Sequence, residues 1–245
     1  MSEQRPVHLA QHPEHGFASD QPYNTGIMVV GDISPPPAQR TIVIAGTPRG
    51  GTTMVAEVLA TLGLPMGIPV PPPVEQFNFE DPEFQTLLHM ESPGEVDLPS
   101  LRALILQRNL NHAVWGFKLP TALNSLAILE QELRNPQFIL VFRDVVAVSS
   151  REVVSVGFDA THAMRRALVW QERMLDFVET SGAKCLLISY EKALQFPDIA
   201  LDLLISWCGL EPPRTLRDKG RATMEANRPA YLRAVSEIRK ASEVV

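Results

Sequence analysis

The stretch TPRGGTT at residues 47–53 combines two adjacent glycines, three hydroxyls and one guanidinium. An apolar run at 41–46 leads into it and an amphipathic segment follows, which is the strand, loop and helix arrangement of anion sites. Consecutive backbone N–H groups at a helix N-terminus, with hydroxyls and a guanidinium beside them, bind a tetrahedral anion well. The sequence therefore predicts an anion site formed by Arg49, Gly50, Gly51, Thr52 and Thr53.

The loop lacks the lysine of a nucleotide-binding P-loop, which stands between the second glycine and the following Ser or Thr. This chain has Gly51-Thr52-Thr53 there, and its cation, Arg49, lies at the other end of the loop. No obvious acidic strand end follows that would hold Mg²⁺, which phosphoryl transfer commonly needs. A transferring sulfuryl group carries less negative charge, so that Arg, Lys and backbone dipoles can stabilise it alone. The pattern therefore favours a phosphosulfate over ATP and requires no metal.

The stretch GTPRGGTT resembles the 5′-phosphosulfate loop of the sulfotransferases that use 3′-phosphoadenosine 5′-phosphosulfate (PAPS). The pattern of that loop is Pro-[Lys/Arg]-[Ser/Gly]-Gly-Thr-[Thr/Ser]. The resemblance is to bacterial-type members and extends over about residues 41–210. It implies a P-loop-like sulfotransferase fold, PAPS as the donor, and a 5′-phosphosulfate held at residues 49–53.

A second motif, FILVFRDVVAVSS at 138–150, is a buried strand that ends before Arg143. Ligands of open parallel sheets bind at this carboxyl edge. The motif resembles the family segment in which an Arg, with a Ser about eight residues later, grips the 3′-phosphate of the donor. Here the eighth position is Arg151 and Ser149 and Ser150 precede it, so that the partner of Arg143 is either Ser150 or Arg151.

The strand-like stretch WGFKLP at 115–120 contains a single lysine near its end. It resembles a Trp-Gly-x-Lys stretch of bacterial members, which implies that Lys118 lies close to the reacting sulfuryl group. A lysine that closes an apolar strand needs an anion or a partner. A structural ion pair is therefore the alternative role for Lys118.

The stretch NFEDPEF at 78–84 resembles the Asn-x-x-Glu region that follows the phosphosulfate loop in related enzymes. Glu80 stands between an apolar residue and a predicted helix start, where burial would make it a stronger base for an acceptor hydroxyl. The alternative is a carboxylate at a helix N-terminus, a role that suits Asp81 better. His89 and His112 are rival candidates for the general base.

Three later segments fit the family pattern less specifically. The resemblance implies that Tyr190, in CLLISYEKAL, helps form the adenine side of the donor pocket, and that Trp170 matches a tryptophan of the preceding helix. Both aromatic residues could equally be core residues. Some family members also close over the 3′-phosphate with a basic-glycine segment, to which RTLRDKGRATM is only weakly similar; its relevant residues are Arg217, Lys219, Gly220 and Arg221.

The elements that position these residues alternate along the chain. Apolar, strand-like runs at 41–46, 113–118, 137–143 and 184–189 are separated by longer helical segments. This alternation predicts an α/β fold in which a parallel β-sheet is flanked by helices, a three-layer sandwich like that of the P-loop NTPases. Asn124 or Ser125 would cap one helix. Pro197 would begin a second helix, which Gly209 would end, and RPAYLRAVSEIRK would form the last helix.

Composition limits the classes of protein to which this chain could belong. The 245 residues are 45% hydrophobic and 20% charged, which is ordinary for one globular domain. A net charge of −6 argues against binding a nucleic acid polymer. Cys185 and Cys208 lie in apolar runs and are expected to be buried thiols. No apolar run of the sequence is long enough for a membrane span. We therefore expect a cytoplasmic protein.

Residues 1–38 are rich in Pro, His and Gln and are expected to form an extended or flexible leader, with IMVV at 27–30 as a short edge strand. Residues 39–245 would then form the sulfotransferase-like domain. The leader could be ordered against a neighbouring copy, and the oligomeric state, including a homodimer, stays open.

The combined prediction is a sulfotransferase that moves a sulfuryl group from PAPS to a hydroxyl or amine. Glu80 would be the base, and Lys118 and Arg49 would stabilise the transferring group. The acceptor is a small molecule, a carbohydrate or a lipid, which the sequence does not distinguish. The alternatives are a P-loop phosphotransferase such as a kinase, and a non-catalytic binding protein on the same fold.

Overall fold

The computed structural model describes residues 7–9, 24–32, 34–67, 80–88 and 96–226. Within these ranges the chain forms a six-stranded sheet with the strand order β1-β2-β6-β5-β3-β4. The strands are β1 (Val7–Leu9), β2 (Ile27–Val30), β3 (Arg40–Gly46), β4 (Val114–Lys118), β5 (Pro136–Phe142) and β6 (Lys184–Ser189). Strands β4, β3, β5 and β6 are parallel, whereas β2 is antiparallel to β6 and β1 is antiparallel to β2. The predicted parallel α/β sheet is confirmed.

The helices lie on both faces of the sheet. They are α1 (Thr52–Thr61), α2 (Pro82–Leu87), α3 (Leu98–Asn111), the 3₁₀ helix η1 (Pro120–Asn124), α4 (Leu126–Glu132), α5 (Val145–Val156), α6 (Ala160–Thr180), α7 (Tyr190–Gln195), α8 (Pro197–Cys208) and α9 (residues 214–226). Pro197 is the first residue of α8 and Gly209 ends that helix in a left-handed conformation, as predicted. Ser125 rather than Asn124 is the N-cap of α4, although no side-chain bond caps that helix. The predicted last helix RPAYLRAVSEIRK lies outside the described residues.

Strand alternation divides the core into two layers. Val43 and Ala45 of β3 face the side covered by α2, α3, α4 and α6. Ile42 and Ile44 face the side covered by α1, α7, α8 and α9. Every residue of β3 is buried, as expected of a central parallel strand that is covered on both faces. The three-layer sandwich predicted from the sequence is therefore present.

The segment 1–38 contributes two strands to this sheet. Residues 27–30 form the predicted strand, but β1 pairs along its outer side, so that β1 rather than β2 is the edge. The sequence predicted that this segment would be an extended or flexible leader. Its two described strands, β1 and β2, are hydrogen-bonded into the sheet.

The two cysteines are free, buried thiols on opposite faces of the sheet, as predicted. Burial raises the pKa of the Cys208 thiol to about 12, which leaves it in its neutral form at physiological pH. No helix in the described part of the chain is long and apolar enough to cross a membrane.

A stack of three aromatic rings joins α2 to β4, the strand that ends at Lys118. The rings of Phe84 and Phe117 are nearly parallel with their centroids 3.9 Å apart, and Trp115 lies 6.0 Å from Phe117. Phe84 has no exposed surface. This packing fixes the position of α2, and hence of Glu80 just before it, relative to β4.

We expect Phe84→Ala to lower the free energy of unfolding by about 3–5 kcal/mol, because the substitution leaves a cavity against Phe117. Leu106→Ala on α3 is the control, since Leu106 is 60% exposed and its loss should change stability by less than about 0.5 kcal/mol. Denaturant unfolding of both variants measures the difference. Equal stability of the two variants would contradict this account of α2.

Candidate active site

The loop after β3 has an uncommon backbone. Gly50 donates its N–H to the carbonyl of Thr47 at 2.7 Å, which closes a tight turn. Arg49, within that turn, has a φ of 63°, a left-handed conformation that non-glycine residues seldom adopt. Such strained residues concentrate at functional sites. The turn leaves the Arg49 side chain exposed beside the start of α1.

Helix α1 begins at this loop without a capping side chain. Its N-cap is Gly51, no side-chain bond caps the helix, and its first turn contains no acidic residue. The positive end of the helix dipole therefore faces the loop without a negative side chain in that turn. The hydroxyl of Thr47 is also buried and has no hydrogen-bond partner among the described residues. These features suit an anion that would accept hydrogen bonds from the loop.

The loop rests on Tyr190, the first residue of α7. A Cβ atom at Gly51 would lie 2.1 Å from the Tyr190 ring, so that the ring fits only because residue 51 has no side chain. The Arg143 guanidinium lies 4.5 Å from the centroid of the same ring, and its Nη1 donates to the Arg49 carbonyl at 2.8 Å. Tyr190 and Arg143 therefore both pack against the loop and support its backbone. Their predicted roles at the adenine and the 3′-phosphate stay predictions.

Arg143 is also tied to the neighbouring helices. Its carbonyl accepts a hydrogen bond from Gln171 of α6 at 2.6 Å, and its Nε lies 3.6 Å from Glu191 of α7. The Arg143 side chain is only 2% exposed. The sequence predicted that Arg143 would lie at the carboxyl edge of the sheet, and Arg143 does follow β5 at that edge. Its guanidinium, however, contacts the backbone of the loop.

The two candidate partners of Arg143 lie on α5. The Ser150 hydroxyl is exposed and donates to the carbonyl of Val146 at 2.8 Å, one helical turn earlier. Arg151, the next residue, is half-buried. The Ser150 proton is thus used within the helix, and the choice between Ser150 and Arg151 for a 3′-phosphate stays open.

Lys118 and Glu80 form an ion pair at the end of β4. Lys118 Nζ lies 3.0 Å from Glu80 Oε1, and their side chains are 2% and 25% exposed. A backbone bridge joins the same two residues, and the next N–H, that of Asp81, donates to the Lys118 carbonyl at 3.2 Å. The ion pair considered as an alternative role for Lys118 is therefore present.

Burial lowers the pKa of Lys118, and the negative charge of Glu80 only partly opposes this effect. The positive charge of Arg49 lowers the Lys118 pKa further, which places the two cations near each other. The structure thus places two predicted catalytic residues, Glu80 and Lys118, in direct contact, and the charge of the third, Arg49, acts on Lys118. Two cations and one carboxylate leave a net positive charge that would attract an anion.

A buried network positions the segment that contains Glu80. Asp81 caps α2 by accepting hydrogen bonds from the N–H groups of Glu83 and Phe84, the helix-start role suggested from the sequence. Arg108 of α3 pairs with Asp81 at 3.2 Å and with Glu83 at 2.6 Å. Burial raises the pKa of Asp81, while the charge of Arg108 opposes the rise. Arg108 was not among the predicted residues, because nothing local in the sequence distinguishes it from an exposed arginine on a helix.

Three further sequence candidates differ in where the structure leaves them. His112 is exposed and precedes β4, at the opposite edge of the sheet from Lys118, so that it cannot serve as the base. His89 lies outside the described residues. Trp170 packs against the core, consistent with the alternative suggested for it.

The basic-glycine segment belongs to α9 and packs on α8. Arg217 pairs with Asp202, and Arg221 pairs with Asp198 at 3.1 Å. A Cβ at Gly220 would lie 3.2 Å from Leu201, so that this glycine allows close helix packing. Lys219, the remaining predicted residue, is exposed on the same helix. These contacts join two helices, and none of them involves the loop.

Comparison with solved structures finds chains of similar fold. The sulfotransferase domain of the Synechococcus PCC 7002 olefin synthase matches with a TM-score of 0.50 and 19% identity, covering 76% of this chain and 78% of that one. Sulfotransferase STF9 from Mycobacterium avium matches with a TM-score of 0.51 and 15% identity, covering 84% and 76%. Sulfotransferase STF1 from Mycobacterium tuberculosis H37Rv has a TM-score of 0.45 and 17% identity over 82% and 76%.

The chain therefore has the P-loop-like fold of bacterial sulfotransferases, as the sequence predicted. No protein-family model and no curated protein matches the sequence. Since the identities to the solved structures are low, these likenesses establish the fold, and the activity must be argued from the site itself.

We expect Gly51→Ala to destabilise the protein more than Gly63→Ala. Both glycines have left-handed backbones, with φ values of 96° and 98°, so that both variants bear a similar conformational cost. Only at Gly51 would the new methyl group meet a ring, that of Tyr190, whereas nothing lies within 4 Å at Gly63. Denaturant unfolding should show an additional loss of about 1–3 kcal/mol for Gly51→Ala. Equal losses would show that Tyr190 does not support the loop.

Proposed function

We propose that this protein is a sulfotransferase that moves a sulfuryl group from PAPS to a hydroxyl or amine of a small-molecule, carbohydrate or lipid acceptor. The observation that carries the proposal is the convergence of an uncapped, strained anion loop with a buried Lys118–Glu80 pair at one edge of the sheet. The sulfotransferase fold of the chain is consistent with it.

The donor would be held by residues around the loop. Backbone N–H groups of residues 51–53, the hydroxyls of Thr52 and Thr53, and the Arg49 guanidinium would bind the 5′-phosphosulfate, while the Gly50 N–H closes the turn onto Thr47. Such a group would accept hydrogen bonds from the Thr47 hydroxyl, which has no partner among the described residues, and from the uncapped N-terminus of α1. Arg143, with Ser150 or Arg151, would bind the 3′-phosphate, and Tyr190 would border the adenine. PAPS supplies an activated sulfur atom whose leaving group is a phosphate.

Glu80 would remove the proton from the acceptor. Its Oε1 contacts Lys118, and its side chain is 25% exposed, so that the side chain is partly accessible. The acceptor oxygen or nitrogen forms a bond to sulfur in line with the breaking bond between sulfur and the phosphate oxygen. The acceptor proton passes to Glu80, and the electron pair leaves with 3′-phosphoadenosine 5′-phosphate.

Lys118 and Arg49 would stabilise the negative charge that develops on the transferring group and its leaving oxygen. Because Lys118 is held in place by burial and by its pair with Glu80, its ammonium needs little reorganisation when charge develops. The mechanism assigns no step to a metal ion.

Calorimetric titration with 3′-phosphoadenosine 5′-phosphate tests the donor site. We expect metal-independent binding that weakens at least about tenfold in Arg49→Ala and in Arg143→Ala, the second because the loop loses its support. Arg102→Ala is the matched control, since Arg102 is exposed, pairs with Glu132 at the end of α4 and belongs to no part of the proposed site. It should bind like the wild type.

The same titration distinguishes the alternatives. Binding only of ADP with Mg²⁺ would favour a phosphotransferase such as a kinase. Binding of neither nucleotide would favour a non-catalytic protein on this fold. Either result would refute the proposed function.

The lowered pKa of Lys118 predicts the alkaline limit of activity. The rate should fall with rising pH before the ordinary lysine value of 10.5 is reached, because Lys118 loses its proton below that value. Lys118→Arg should move this limb to higher pH, because a guanidinium keeps its charge. A pH–rate profile with an unchanged limb in Lys118→Arg would assign the limb to another group.

The same shift affects stability with a defined sign. Between the lowered pKa of Lys118 in the folded chain and its unfolded value, the unfolded state binds more protons. The contribution of Lys118 to the free energy of unfolding should therefore rise with pH in that window.

A further inference from the structure

Arg108 of α3 connects its helix to two segments at the edge of the sheet. Its Nη2 lies 3.2 Å from Asp81 Oδ2 and 2.6 Å from Glu83 Oε2, in the segment that directly follows Glu80. Its guanidinium carbon lies 5.9 Å from the centroid of the Trp115 ring in β4. One buried cation thus contacts both β4 and the segment that contains the proposed base.

Gly67 encloses the Arg108–Asp81 pair from another side. The Gly67 N–H donates to the carbonyl of Gly116 in β4 at 3.1 Å. A Cβ atom at residue 67 would lie 2.6 Å from Asp81 Oδ2 and 3.6 Å from Arg108 Nη1. Arg108 and Asp81 are only 7% and 3% exposed. Water therefore has little access to the Asp81 carboxylate, which depends on Arg108 for its counter-charge.

Asp81 links Arg108 to the Glu80–Lys118 pair. Its Oδ1 accepts hydrogen bonds from two N–H groups in the first turn of α2, and its Oδ2 accepts one from Arg108. Its own N–H donates to the Lys118 carbonyl at 3.2 Å, beside the backbone bridge between Glu80 and Lys118. The side chain of Asp81 is thus fixed to α2 and α3 and its backbone to the end of β4, and the backbone of Glu80 is fixed with it.

We infer that Arg108 is a positioning residue for Glu80, because by holding Asp81 it keeps the Glu80 carboxylate against Lys118. The inference rests on the proposed function, in which Glu80 is the base and Lys118 stabilises the transferring group. Without the charge of Arg108, the buried Asp81 carboxylate would lack a counter-charge and the segment would move. A displacement of about 1 Å at a reacting group can cost roughly a hundredfold in rate.

The pKa of Lys118 reports the position of Glu80 in the free protein. The negative charge of Glu80 raises this pKa, so that Glu80→Gln should lower it. Arg108→Met removes the charge of residue 108 and keeps much of its length. We expect it to lower the Lys118 pKa in the same direction as Glu80→Gln, because Glu80 moves away from the lysine. Titration of the Lys118 side-chain NMR signal, assigned with Lys118→Arg, measures both shifts.

A double variant tests whether the effect passes through Asp81. Arg108→Met combined with Asp81→Asn leaves no buried charge at these two positions, and asparagine can still cap α2. The Lys118 pKa should therefore return to its wild-type value. Arg102→Met is the matched control, because Arg102 lies on the same helix, is 62% exposed and pairs with Glu132. It should leave the Lys118 pKa unchanged.

A purely structural role for Arg108 predicts a different result. It would lower Tm in Arg108→Met and leave the Lys118 pKa at its wild-type value. That outcome, a raised Lys118 pKa, or a double variant that keeps the lowered pKa would overturn the inference. If Arg108→Met does not fold, Arg108→Lys replaces it, since its ammonium retains the charge without the guanidinium geometry. A lowered Lys118 pKa is expected there too, and an unchanged one would overturn the inference.

The proposed function and the positioning role fail in different measurements. The proposed function fails if the wild type does not bind 3′-phosphoadenosine 5′-phosphate, whatever the pKa of Lys118. The positioning role fails in the free protein, where the Lys118 pKa is measured with no nucleotide present.

Discussion

The candidate site depends on the close approach of the Gly51 backbone to the ring of Tyr190. That approach leaves no room for a Cβ atom, and the same ring lies under the Arg143 guanidinium. Arg143 in turn holds the carbonyl of Arg49, which is in a left-handed conformation. Two segments, which follow β5 and β6, thus fix the loop that follows the neighbouring strand β3. If the loop binds an anion as proposed, the site is ordered before its ligand arrives, so that binding need not supply the energy of ordering it.

Much of the fold could be predicted because the central strands are buried on both faces. Such strands appear in a sequence as continuous apolar runs, and those at 41–46 and 184–189 match β3 and β6 to within one residue. The loop was equally predictable, since glycines and hydroxyls between a strand and a helix have few other uses. In contrast, β1 has only three residues, and its pairing with β2 depends on contacts that the local sequence does not encode.

The site was less predictable wherever side-chain direction or long-range pairing decides the outcome. A sequence shows that Arg143 follows a strand, but not that its guanidinium turns beneath the loop rather than toward solvent. Arg108 is buried only because Asp81, 27 positions earlier, comes to face it. His112 was a reasonable rival base until the strand direction placed it at the opposite edge from Lys118. In each case the deciding information is the topology, which single residues do not reveal.

In the proposed reaction the Lys118–Glu80 pair would unite two roles that were considered as alternatives. Lys118 is almost completely buried, and without a counter-charge its ammonium would be strongly unfavourable, so that the pair is structural in the free protein. Glu80 is the more exposed partner, and the backbone of Glu80 and Asp81 is itself bonded to Lys118 at the end of β4. In the proposed reaction the anionic donor provides a second counter-charge for Lys118. Glu80 can then turn from the lysine to the acceptor proton while its backbone stays fixed, and one ion pair serves both stability and catalysis.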